Sequence, residues 1–193
     1  MKGIIPSVPP RALLFSFQLS LIGMLVAGIY GVLHDQITHF ISPSYYTKLK
    51  FDQFNCNPAT VPTWLCVSKV GFLATYWLGI IAGWLIGRLS YVDKNRSLSF
   101  KRASFAMLYL IITAVITAVV FSLSFQLFGD KTNTLYQDHF HLTDEELSPF
   151  LHVGAIHLGS YVGGLIGLTW VLIMLFTQNL RRKKHDTHLQ EQS

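Results

Sequence analysis

Four long apolar runs constrain this chain more than any other feature. They cover Ala12–Leu33, Val70–Ile86, Ala103–Phe128 and Val153–Phe176. A helix needs roughly 20 apolar residues to cross a hydrocarbon core about 30 Å thick. In lipid the backbone must satisfy its own hydrogen bonds, which a helix does within one segment. The expectation is an all-α membrane protein, a single four-transmembrane-helix bundle spanning residues 1–193. Composition agrees: 13% of residues are charged, against about 25% in a soluble domain. Lys2 and Arg11 before the first run resemble a secretory signal. That run is too long for one and lacks a small-x-small cleavage site, so it reads as a retained helix.

Basic residues set the expected orientation. Lys2, Arg11, Arg88, Lys94, Arg96, Lys101, Arg102, Arg181, Arg182, Lys183 and Lys184 fall on one side, and only Lys48, Lys50, Lys69 and Lys131 on the other. Both termini are therefore expected in the cytoplasm, with two outer loops. The net charge of +5 is an orientation signal and not a sign of nucleic-acid binding. Residues 177–193 read as a charged tail without regular structure. Pro6, Pro9 and Pro10 hold the first span back to about Arg11.

Small residues recur at helical spacing. Gly23, Ala27 and Gly31 mark one stripe, Gly79, Gly83 and Gly87 a second, and Gly159, Gly163 and Gly167 a third. Such stripes let neighbouring backbones approach closely, a glycine zipper. Leu78–Gly87 and Leu158–Gly167 agree at six of ten positions. Duplicated hairpins or convergent packing both account for that likeness.

In the first outer loop, Ser42 followed by Pro43 is a helix start. The aromatic and basic residues after it suit a helix in the headgroups or a folded cap. Cys56 and Cys66 read as a disulfide between outward-facing thiols. In the second outer loop Thr143 and Glu146 fit a capping box. Pro149 is expected to interrupt the chain there and restart it as the fourth span.

No Asp, Glu, Lys or Arg falls inside the four runs, which argues against an ion-coupled carrier. Polar groups gather at the outer edge instead. His34, Asp35, His39, His139, His141, His152 and His157 are the candidate ligands for a transition metal, since imidazole suits zinc, copper, iron and nickel. The competing reading is interfacial histidines bonded to loops and headgroups. His34–His39 and His152–His157 are each five apart, which on one helix splays the rings by about 140°. A haem held by His34 and His157 is a lesser reading, because the second and third runs contain no histidine. His34 and His157 are expected in one shared outer pocket, near Tyr30, Tyr161 and Asp35 or a loop carboxylate.

The stretch His34–Phe51 (HDQITHFISPSYYTKLKF), the four-span layout and His157–Gly167 (HLGSYVGGLIG) resemble an uncharacterised family of bacterial inner-membrane proteins. The resemblance implies a bacterial inner membrane and no catalytic residue. Four-span quinone oxidoreductases are superficially similar, but their Cys-x-x-Cys and second cysteine pair are missing here. The leading reading is a non-enzymatic binding or accessory component of the cell envelope, with lipid, other membrane proteins or a second copy as partners. The rival is a metal-binding protein, carrier or metalloenzyme using the outer His, Asp and Glu groups.

Overall fold

The computed structural model describes residues 9–93, 95–130, 132 and 134–191, with side chains as far as Lys184. Lys2, Pro6, Lys94, Lys131 and the side chains of His185 and His188 lie outside the described residues. The chain is an all-α bundle. Its four long helices are α1 (Pro10–Ile41), α4 (Thr63–Ser90), α5 (Arg96–Phe128) and α7 (Asp144–Glu191). All four are long and apolar enough to cross a membrane. Between α1 and α4 run α2 (Pro43–Tyr45), a π-helical turn (Tyr46–Lys50) and α3 (Phe51–Gln53); α6 (Thr134–Phe140) precedes α7.

The helices form two close pairs, α1 with α4 and α5 with α7, and contacts between the pairs are sparse. Small residues sit where the paired backbones meet. A side chain at Gly23 would strike Gly79, one at Gly31 would strike Gly71, and one at Gly87 would strike Ser16. Ala27 lies at the same crossing, its carbonyl accepting from Thr75 Oγ1 at 2.7 Å. In the second pair Gly159 lies against Thr117 and Phe121, and Gly167 against Thr113. The similar stretches Leu78–Gly87 and Leu158–Gly167 thus do the same job in successive hairpins. Thr113 and Thr117 return their hydroxyls to carbonyls of their own helix.

Apolar cores close both ends of the bundle. At the end carrying the termini, Phe15, Leu19, Ile86, Ala103, Ala106, Val171 and Leu175 pack together. There Arg102 donates to Leu175 O (3.3 Å), Ser90 O (3.2 Å) and Asn179 Oδ1 (2.7 Å), tying α4, α5 and α7. At the other end, Tyr45, Tyr46 and Phe51 join Val67, Val70, Leu147, Phe150 and Val153 around the Cys56–Cys66 disulfide. The aromatic segment after Ser42 is therefore a cap on the bundle. Ser42 starts it, accepting from Tyr45 N at 3.3 Å.

Three expectations change. The first helix does not end near Leu33. It carries His34, Asp35 and His39 on to Ile41. Pro149 does not break the last helix, which starts at Asp144 and runs through it. The proline falls in the second turn, where it forfeits one bond to a first-turn carbonyl. The expected capping box anchors that start, with Glu146 N donating to Thr143 Oγ1 (3.3 Å) and Thr143 N to Glu146 Oε2 (2.9 Å). Segment 177–193, expected to lack regular structure, continues as helix to Glu191. Its Leu, Arg, Lys and Gln residues are good helix formers, and no Gly or Pro follows Gly167 to stop it.

The disulfide pins the cap to the first turn of α4. Closing so short a loop is worth about 3 kcal/mol in the chain-entropy account. Cys66→Ser is expected to lower Tm by about 6–12 °C, at 2–4 °C per kcal/mol. Non-reducing mass spectrometry should find the two cysteines joined. Two free thiols in protein recovered from an oxidising compartment would contradict this linkage.

Candidate metal centre

The centre lies at the cap end, between α1 and α7. His34, Asp35 and Thr38 share one face of α1 because three and four residues make one turn. His157 comes from the fourth turn of α7. Tyr45 and Tyr46 come from the cap, with Tyr46 opening the π-helical turn. Such turns re-aim side chains and are frequent at functional sites.

The rings of His34 and His157 meet edge to face at 4.8 Å. One potential ligand atom each from His34, Asp35 and His157 all lie within 4.8 Å of one another. His157 Nε2 is 3.9 Å from Asp35 Oδ1, 3.4 Å from Thr38 Oγ1 and 3.5 Å from the Tyr46 hydroxyl. Tyr46 and Thr38 hydroxyls are 2.6 Å apart. Tyr45 stacks on His157 at 5.2 Å and covers it from the cap side. Asp35 is 3% exposed and His157 6%.

Burial raises the pKa of the Tyr46 phenol, and the nearby Asp35 charge adds to that. Burial, with Tyr161 and Asp35 adding, raises Tyr45 as well. Both hydroxyls therefore remain neutral. Burial lowers the pKa of the Lys50 amine, and Asp35 opposes the shift. Lys50 lies 5.7 Å from the centre of the Tyr45 ring, with Nζ donating to Gln53 Oε1 at 3.1 Å.

A buried carboxylate is costly unless it is paired or coordinates a cation. Four buried side-chain atoms lack a hydrogen-bond partner among the described residues: Ser20 Oγ, Ser90 Oγ, His34 Nε2 and Asp35 Oδ2. Two of the four belong to this centre. Two imidazoles and one carboxylate are ligands that zinc accepts, at about 2.0–2.2 Å each. Closing the present separations onto one ion needs shifts of about an ångström. A porphyrin does not fit. Rings in edge-to-face contact leave no slot for it, and Thr38 and Tyr46 crowd the same space.

The other candidates lie elsewhere. His39 packs against Tyr46, ring to ring at 5.3 Å, and is not among the three converging groups. His152 stacks on Phe125, and its Nε2 is 2.8 Å from Ser122 Oγ on α5. His139 packs on Phe140 at the exposed second loop. His141 takes positive φ (50°), and its carbonyl accepts from Lys48 Nζ at 2.6 Å. The 140° splay thus separates both histidine pairs, as an unbroken helix requires. Thr38, Tyr45 and Tyr46 were missed as site residues. Thr38 was legible as the residue one turn beyond His34. The tyrosines reach the site through the fold of the cap, which no local spacing reveals.

Fold and site together define a class: an all-α bundle of four membrane-length helices with a buried His–Asp–His centre beneath an aromatic cap. Comparison of the chain with protein-family models, curated proteins and solved structures finds no match.

Proposed function

We propose that this chain is a multi-pass membrane protein of the bacterial inner membrane that binds a divalent transition metal through His34, Asp35 and His157. The convergence of two imidazoles and a buried carboxylate, with His34 Nε2 and Asp35 Oδ2 unpartnered, carries this reading. Zinc is the simplest fit, because it accepts nitrogen and oxygen ligands and needs no particular d-electron geometry. Three protein ligands leave a fourth position for another molecule. The chain is a binding component of the cell envelope. Both termini lie in the cytoplasm and the disulfide-bonded cap faces the oxidising side, consistent with the basic residues and with Cys56–Cys66. The stripes of glycine act as zippers within each helix pair.

The test is a zinc titration of purified, chelator-stripped protein. One tightly bound zinc per chain is expected. Affinity no higher than that of the His34→Ala/His157→Ala double variant would remove the metal reading.

A further inference from the structure

The two helix pairs do not close on each other at membrane depth. Between the two apolar cores lies a cavity of about 270 Å³, whose lining includes Ala27, Ile81, Ala82, Ala114, Gly164 and Leu165. Ile81 and Leu165, 49% and 69% exposed, stand at its rim. Its few polar groups include Tyr30, Ser160 and Tyr161. The Tyr30 hydroxyl is 2.8 Å from Ser160 Oγ, and the Tyr30 ring is 5.6 Å from His34. The polar part of the cavity therefore adjoins the metal centre. In a hydroxyl pair one O–H donates to the other oxygen, which leaves the second O–H free to donate onward.

Gly164 is a separate observation. Unlike the glycines at the helix crossings, it would meet nothing within 4 Å if it carried a Cβ. A glycine inside a helix costs about 1 kcal/mol relative to alanine, and here no neighbour requires it. It leaves space open in the cavity. The cap meanwhile covers the centre from outside, with Tyr45 and Tyr46 packed over His157. A molecule larger than an ion reaches the centre most directly from the bilayer.

We infer that this cavity binds a membrane lipophile, a hydrocarbon chain bearing a hydroxyl or carbonyl head. The tail lies along Gly164, Ala82 and Leu165, and the head accepts a hydrogen bond at the Tyr30–Ser160 pair, next to the metal centre. This deepens the metal reading and rests on it for what the head meets, but the tail site needs no ion.

The test uses purified protein in nanodiscs and a long-chain alcohol carrying a diazirine in mid-chain. The matching alkane with the same diazirine is the headless control. Photolabelling by the alcohol is expected to map to the cavity-lining peptides and to exceed labelling by the alkane at least fivefold. Gly164→Leu, whose side chain enters open space, should cut labelling at least fivefold while keeping the parent melting point and zinc content. Equal labelling by alkane and alcohol, or full labelling of Gly164→Leu, would overturn the inference. Should Gly164→Leu prove unstable, Tyr30→Phe decides: the alcohol-to-alkane ratio falls towards one, or the proposal fails. In the parent protein, absent labelling with zinc bound removes only this inference. Lost zinc with labelling retained removes only the metal centre.

Discussion

Gly83→Leu and Gly163→Leu are each expected to lower Tm by about 10 °C or to prevent recovery of folded protein. At Gly83 a Cβ would lie 2.8 Å from the Leu19 carbonyl carbon and 2.9 Å from Ser20 Cα; at Gly163 it would lie 2.6 Å from Thr113 O and 2.9 Å from Ala114 Cα. Most of these neighbours are backbone, so no rotamer change makes room and the helices must separate. Overpacking a core costs about 1–3 kcal/mol where side chains can yield, and here they cannot. Separated helices also lose the dispersion contacts that hold membrane helices together without a hydrophobic drive. Leu33→Ala, at a position 60% exposed, should melt within about 2 °C of the parent, because lipid refills the space. Parent-like melting of both glycine variants would mean that the pairing of α1 with α4 and α5 with α7 is wrong.

His157→Ala is expected to abolish stoichiometric zinc binding. In the proposed centre the ring is a ligand, and it touches Tyr45, Tyr46, Thr38 and Asp35. Losing a group that only orients a ligand costs roughly 10–100-fold in affinity, so losing a ligand should exceed that. His139→Ala, at the exposed loop, should bind zinc like the parent. Because the alanine variant also leaves a hole beneath Tyr45, His157→Gln serves as the volume-keeping partner. It should melt near the parent and still lose the metal. Zinc bound by His157→Gln at parental stoichiometry and affinity would sink the centre as drawn.

The architecture was legible because apolar length and glycine spacing are local signals, read along one helix at a time. The disulfide was legible because two outer cysteines have few other uses. Pairing of His34 with His157 was also within reach, since His34 continues the small-residue stripe of the first span and His157 lies near the same level of the fourth. Helix ends were harder. The first outer loop looked as if it opened at His34 because hydropathy falls after Leu33, yet the hydrogen-bonded helix runs on to Ile41. Pro149 looked like a break because hydropathy starts the last span at Val153, yet the helix begins at Asp144 and carries the proline in its second turn at the loss of one backbone bond. Tyr46 could not be found from sequence, since its position depends on the π-helical turn and on the cap closing over α7.

The pairing of consecutive helices has a consequence for how the molecule assembles. The α1–α4 pair can close as soon as its second member is inserted, and the α5–α7 pair likewise, because neither waits on a distant partner. The cap and the centre take residues from both pairs, with Asp35 and Tyr46 from the earlier half and Phe150 and His157 from the last helix. They come into being only once α7 is in place beside the earlier helices. A chain that stops before α7 therefore carries the imidazole of His34 and the Asp35 carboxylate but no completed pocket, and the three groups converge only when α7 is present.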